Sequence, residues 1–387
     1  LHLHRTLTHT YQSQHLSTSS VSSGGMLGTC PVETESPSPS RKEDSTERLI
    51  RAVHARRSER SLICNPDYLD DENLPEVERR AVLTEIFNRN IREKQLNRII
   101  THLAPILDGD HPPSALIYGP TGSGKTVTLI HLLSSFQKVA ASSAIDFTYR
   151  YIDLTSPKTF FGALNEVAIS LDSAHRRYRK GIPIDYMQET IISSIGKIEG
   201  FLCLLVDEAD NVRPSSDALL TFLGKTLPRK VNCRILLIML TNKLDWEKAL
   251  DPRIHSFLKK SDIIFEPYHA LDLIELLSLR VEKALDASRV EEAAIRKIAA
   301  LCSRETGDAR RAVELLAKSV RIAEETSGRL TEHEVDVAES TLERDKTEDM
   351  IRSLATQQRL ALVACYVVLN KGLRKISTGQ AYHQYCL

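Results

Sequence analysis

The octapeptide Gly119-Pro-Thr-Gly-Ser-Gly-Lys-Thr126 stands between the apolar run Ser114-Ala-Leu-Ile-Tyr118 and the helix-like Val127-Thr-Leu-Ile-His-Leu-Leu133. A strand, a glycine loop and a helix in that order predict a phosphate-binding site. Glycines let successive backbone N–H groups turn inward onto phosphate oxygens, and the helix that follows points its positive end at the same place. Lys125 then reaches the β and γ phosphates and Thr126 a magnesium ion. Gly119, Thr121, Gly122, Ser123, Gly124 and Val127 complete the expected nucleotide cradle.

Toward the C-terminus, Phe201-Leu-Cys-Leu-Leu-Val206 has the pattern of a buried strand and ends in Asp207-Glu208. Asp207 is suited to holding the magnesium ion, and Glu208 to polarising the water that attacks the γ phosphate. Asp207-Glu-Ala-Asp210 also spells an RNA-helicase signature, but those enzymes carry a second sheet domain and only helix patterns follow Tyr268. Asn242-Lys-Leu-Asp245 matches the guanine-reading motif of small GTPases. Such enzymes pair it with Asp-x-x-Gly, and the fourth residue here is Asp210, so a GTPase stays the lesser alternative. Asn242 also ends the apolar run at residues 235–240, which places one polar amide beside the γ phosphate.

Further strand-like runs lie at residues 147–154, 234–240 and 262–265, with helix-patterned stretches between them. This alternation predicts an α/β fold, a parallel sheet covered by helices on both faces. One helix is expected through residues 79–108, with Leu96, Ile99, Ile100 and Leu103 on its apolar side. Another is expected to start at Ser156-Pro157 and to bury Phe160, Phe161, Leu164, Ala168 and Leu171. Beyond Tyr268 the pattern is purely helical, at about residues 270–287, 290–303, 308–327 and 331–345, the last opening with the capping box Thr331-x-x-Glu334. A third piece follows, a helix through Leu354, Leu360, Val363 and Val367 and a basic turn at Lys371–Lys375. The expected division is a tail at 1–60, a sheet domain at 61–268, a helical lid at 269–345 and a C-terminal piece at 346–387.

Composition narrows the class. The 387 residues are 42% hydrophobic and 26% charged, as in a soluble globular protein of two or three domains. Lys plus Arg and Asp plus Glu both total 51, so there is no overall basic field and any nucleic-acid contact must come from local patches. The seven cysteines form no Cys-x-x-Cys pair and read as reduced thiols of a cytosolic protein. Neither a membrane-length apolar run nor a signal peptide is present in the sequence. Residues 1–45 are rich in Ser, Thr and His and predict disorder, with His2, His4, His9 and His15 read as stray side chains rather than ligands and Met26 as a candidate start.

Together with the helical lid and the motif spacing, these residues resemble the AAA+ ATPases. Within them the chain is similar to the archaeal replication-initiator family related to the largest origin recognition complex subunit and to cell division control protein six. The resemblance spans residues 62–387. It rests on Asn65-Pro-Asp-Tyr-Leu69, Arg92-Glu93, the glycine loop, Val206-Asp-Glu208, Leu250-Asp-Pro-Arg-Ile254, Phe265-Glu-Pro-Tyr268, Thr306-Gly-Asp-Ala-Arg-Arg-Ala312 and Thr378-Gly-Gln-Ala-Tyr382.

The resemblance implies that Asn242 orients the attacking water and that Arg310 reaches from the lid to the γ phosphate. It implies nucleotide contacts for Tyr268 and Arg280 at the hinge. Arg253 falls at the position of an arginine finger acting on ATP held by a neighbouring subunit, a surface salt bridge being the other reading. The cofactors implied are ATP and Mg2+, with slow, regulatory hydrolysis. Duplex origin DNA is the implied partner, with a replicative helicase and a neighbouring initiator subunit or second copy beside it, away from any membrane and on the nucleoid in the cytoplasm. His175-Arg-Arg-Tyr-Arg-Lys180 is the candidate DNA contact, set against a merely solvated basic helix face. The C-terminal piece resembles the start of a winged helix whose recognition helix and wing fall beyond Leu387, which leaves sequence-specific origin binding open for this polypeptide. The alternatives left open are an AAA+ module of a mobile element or defence system, and a module in which nucleotide is only a structural ligand.

Overall fold

The computed structural model describes residues 61–69, 76–89, 91–172, 181–212, 216–246, 248, 250–255, 261–370 and 375–387. The tail at 1–60, the basic stretch at 175–180 and most of the basic turn, residues 371–374, lie outside the described residues.

Five strands, β1 (Ala115–Tyr118), β2 (Phe147–Asp153), β3 (Phe201–Asp207), β4 (Arg234–Thr241) and β5 (Ser261–Ile264), make one parallel sheet in the order β2-β3-β4-β1-β5. The three inner strands β4, β1 and β3 are apolar without alternation because both faces are covered, whereas the edge strands β2 and β5 carry polar residues. Leu202, Leu204 and Val206 of β3 enter one core, while Phe201, Cys203 and Leu205 enter the other.

In chain order the helices are α1 (Glu76–Asn88), α2 (Glu93–Leu103), α3 (Lys125–Ser142), α4 (Phe160–Leu171), α5 (Ile184–Ile195), α6 (Ser216–Thr221) and α7 (Pro252–His255). The first core lies under α4, α5 and α6 and the second under α2 and α3. Expectation and structure differ at two places here. The single helix expected through 79–108 is α1, α2 and a short 3-10 turn at Ala104–Asp108, broken where Arg92 takes a left-handed backbone with φ 69. The break is needed because Ile91 packs into one core and Ile99 into another, which one straight rod could not do; Ile100, expected on the apolar side, is exposed. The cap of α4 is Thr159, not Ser156: its hydroxyl accepts the Gly162 N–H at 3.1 Å.

Beyond β5 come α8 (Ala270–Ala284), α9 (Glu292–Glu305), α10 (Ala309–Glu325) and α11 (Glu332–Ser353). They bury Leu273, Leu277, Ile298, Leu316 and Val335 in a third core, separate from the two on the sheet. The capping box of α11 is formed in both directions by Thr331 and Glu334, and the helix runs on through residue 345. Two further helices, α12 (Thr356–Asn370) and α13 (Thr378–Tyr385), close the described chain.

Residues 62–91, which the sequence division assigns to the sheet domain, share a core with the lid helices. Leu62, Leu69, Val82, Ile86 and Ile91 share the lid core. The Cys64 N–H donates to the Ala284 carbonyl at 2.7 Å, and Arg89 pairs with Glu275 and Glu282 of α8 at 3.2 and 2.8 Å. On its other side α1 sets the Phe87 ring 4.7 Å from that of His131 on α3. α1 therefore straddles lid and sheet. Among the described residues no helix is long and apolar enough to cross a membrane, and the six described cysteines are free.

Candidate nucleotide site

With β4 lying between β1 and β3, the residues leaving the C-terminal ends of all three strands face one crevice, the usual place for a ligand on an open parallel sheet. After β1, the chain needs glycine at residues 119, 122 and 124. Gly122 (φ 71) and Gly124 (φ 82) take left-handed backbone, and a Cβ on Gly119 would stand 2.5 Å from the Phe265 carbonyl oxygen.

α3 starts at Lys125, whose Nζ donates to the carbonyls of Gly119 (2.8 Å) and Pro120 (2.9 Å) and to Asn242 Oδ1 (2.8 Å). Its neighbour, the Thr126 hydroxyl, donates to Asp207 Oδ2 at 2.5 Å, and the Tyr151 hydroxyl from β2 donates to the same oxygen at 3.1 Å. Glu208 holds a left-handed backbone at φ 50, and its carboxylate accepts from the Asn211 amide. The loop, the two carboxylates and the asparagine thus come together from three separate strand ends.

The electrostatics favour an anion. All three acceptors of Lys125 are neutral, and among the described residues no carboxylate stands within ion-pair distance of it. Burial lowers the Lys125 amine from its ordinary 10.5 to about 8; Asp207 and Glu208 oppose that shift, and the Arg310 and Arg92 charges add to it. Ser123 is fully buried and its hydroxyl has no partner. A buried ammonium served by neutral oxygens at the N-terminus of a helix is stabilised by phosphate oxygens. A hydroxyl paired with a carboxylate, Thr126 with Asp207, is an oxygen donor set that suits magnesium.

The lid meets this loop directly. The Ala309 N–H donates to the Gly122 carbonyl at 3.2 Å, and the Tyr268 hydroxyl lies 2.4 Å from where a Cβ on Gly124 would be. Asp308 caps α10 by accepting the Arg310 N–H at 2.8 Å, which sets Arg310 in the first turn, near enough for its charge to act on Lys125. Arg92 stacks 3.8 Å over the Tyr268 ring and donates to the Ser123 carbonyl at 2.9 Å. It thereby joins the leading segment, the loop and the hinge.

Other expected residues are placed differently. Arg280 is buried, with its guanidinium donating to the Tyr68 carbonyl at 2.9 Å, so it ties the leading segment to α8. Arg253 is exposed on α7, and Val127 is exposed on the first turn of α3. The guanine-motif reading loses its geometry: Lys243 pairs with buried Asp210 at 2.5 Å, and Asp245 pairs with exposed Lys248 at 2.6 Å. Arg92, Tyr151 and Asp308 join the site although no sequence motif gives them a role. Asp308 was legible as an N-cap ahead of an apolar helix. Tyr151 carried no signal, since only the β2–β3 pairing sets it beside Asp207.

A phosphate loop, an acidic strand end, a polar strand end and a capping helical domain define an AAA+ ATPase with a lid. The AAA ATPase domain family matches residues 90–238, and the Cdc6 AAA+ ATPase-type lid domain family matches residues 274–340. The chain is 31% identical over 303 residues to the ORC1-type DNA replication protein of Pyrococcus abyssi, covering 76% of this chain and 71% of that one. It is 30% identical over 325 residues to the ORC1-type DNA replication protein of Desulfurococcus amylolyticus, covering 84% and 78%. The chain belongs to the ORC1-type DNA replication protein family. Among solved structures, it matches Aeropyrum pernix ORC1 in complex with DNA with a TM-score of 0.67 at 28% identity, covering 84% of this chain and 81% of that one. It shares the fold of Cdc6p from Pyrobaculum aerophilum, TM-score 0.58 at 22% identity over 84% of each chain.

Proposed function

We propose that this chain is an ATP-dependent initiator of DNA replication that binds duplex origin DNA and hydrolyses ATP slowly, as a switch that governs helicase loading. The observation that carries the reading is the convergence of Lys125, Thr126, Asp207 and Asn242 on one crevice, with Arg310 brought in by the lid. In this reading the loop amides and Lys125 bind the β and γ phosphates and Tyr268 lines the hinge side, while Arg280 supports the hinge indirectly by holding the leading segment against α8. Thr126 and Asp207 would hold Mg2+, which when bound offsets phosphate charge. Glu208 takes the proton of the attacking water, Asn242 orients that water, and Arg310 stabilises charge on the γ phosphate. Arg253, exposed on α7, serves a neighbouring subunit's ATP.

The coupling follows from the lid contacts at Gly122 and Gly124, since whatever fills the loop changes how the lid seats on it. DNA binding is supported by family membership and by the DNA complex of the Aeropyrum pernix relative; the basic residues at 175–180 are the candidate phosphate contacts. The test is a pair of substitutions. Glu208→Gln is expected to keep ATP binding and to lower phosphate release by about 100-fold or more, and Lys125→Ala to abolish binding. Phosphate release unchanged in Glu208→Gln would remove the catalytic assignment and leave a module that only binds nucleotide.

A further inference from the structure

Phosphate binding does not account for the way Gly122 is enclosed. A Cβ on Gly122 would stand 1.7 Å from Oδ1 and 2.1 Å from Cγ of Asp308, a residue of the lid. The Gly122 carbonyl accepts the N–H of the next lid residue, Ala309, at 3.2 Å. The same Asp308 carboxylate accepts the N–H groups of Arg310 at 2.8 Å and Arg311 at 3.4 Å, so it is also the N-cap of α10. Just before it, Gly307 sits at φ 62, where a Cβ would lie 2.6 Å from the Pro267 Cβ and 2.8 Å from the Tyr268 carbonyl oxygen. Residues 307–309 are therefore held on one side by the hinge and on the other by the phosphate loop.

We propose that Asp308 and the Ala309 amide form the latch by which the lid seats on the loop, and that Asp308 is the positioning residue that carries Arg310 to the triphosphate. The inference rests on the ATPase reading above. A long guanidinium side chain is useful to a phosphate only if its Cα is held steady, within about 0.5 Å. Arg310 is exposed and has no scaffold but the first turn of α10, which Asp308 fixes. Gly122 belongs as much to the lid as to the nucleotide: any side chain there would meet the Asp308 carboxylate and drive it from its capping position on α10. A phosphate that rearranges the loop moves the Gly122 carbonyl, and the lid follows it through Ala309.

The experiment uses the full chain and measures kcat and KM for ATP, together with hydrogen exchange at amides 305–312 with and without ATP. Asp308→Ala is expected to lower kcat about tenfold or more while moving KM less than about threefold, and to lose ATP-dependent protection at 305–312. Asp308→Asn, whose side chain caps a helix equally well, is expected to stay within about threefold of wild type in kcat. In an Arg310→Ala background, Asp308→Ala should cost nothing more, because the two act as one unit. Gly122→Ala should lose the same protection. If it fails to fold, the Asp308 and Arg310 cycle decides alone. Losses that multiply in the double variant, or protection unchanged in Asp308→Ala, overturn the latch. Lys125→Ala separates the two readings: if it binds ATP normally the ATPase reading falls, and if it loses binding while Asp308→Ala behaves as wild type, only the latch falls.

Discussion

At the scale of single residues, the chemistry depends on what burial does to Lys125. Its amine is lowered to about 8 by burial, so between about pH 8 and its ordinary 10.5 the folded chain without nucleotide holds fewer protons than the unfolded chain. The cost of keeping the ammonium buried is fully present below pH 8 and is relieved as pH rises through that window, so the apo protein gains stability there. Phosphate reverses the preference by favouring the ammonium. ATP binding is therefore expected to take up a proton above pH 8 and to weaken by up to about tenfold per pH unit there. Titration calorimetry in buffers of different ionisation enthalpy at pH 7 and pH 9 checks it, and equal proton uptake at both would remove Lys125 from the phosphate contact. The loop residues themselves were plain in the sequence because glycine and lysine spacing is local chemistry. Arg92 was not, because its stack on Tyr268 joins positions far apart in the chain.

At the scale of elements, caps and strand ends matter more than propensity. The Thr331 and Glu334 capping box was readable because both partners lie within one turn, and the structure forms it in both directions. Thr331→Ala is expected to destabilise the protein by about 1 kcal/mol, lowering the urea midpoint without changing its slope. No shift would mean that α11 is held by its packing alone. The break between α1 and α2 shows the limit of periodicity. The helical spacing of Leu96, Ile99, Ile100 and Leu103 suggests one helix through 79–108, but Ile91 and Ile99 are claimed by different cores, and the backbone turns at Arg92 to satisfy both. The cap of α4 at Thr159 was missed for a smaller reason: Ser156, Thr159 and the intervening proline are all acceptable starts, and only the packed helix chooses.

At the scale of the whole molecule, the phosphate loop meets the lid at Gly122 through Ala309, the hinge at Gly124 through Tyr268, and the leading segment at Ser123 through Arg92. Occupying that loop should stiffen the joint. With ATP and magnesium at about 100 times Kd, the protein is expected to gain about 2.7 kcal/mol, seen as a rise in melting temperature that Lys125→Ala abolishes. A rise that survives Lys125→Ala would place the ligand elsewhere. The leading segment takes part in the same joint, for it shares the lid core and still reaches α3 through Phe87 and His131.

The residues alone determined that this chain has a phosphate loop, an acidic strand end and a run of amphipathic helices after Tyr268, because each of these is a pattern within a few turns of chain. They also determined the parallel sheet, since strands apolar on both faces must be covered twice. Only the tertiary structure decided that β4 lies between β1 and β3, which is what brings Asn242 to Lys125 and Asp207 to Thr126. Only it decided that residues 62–91 pack with the lid and that Asp308 rests on Gly122. Those contacts join residues far apart in the chain, and burial and backbone space, not local propensity, select among the ways they could meet.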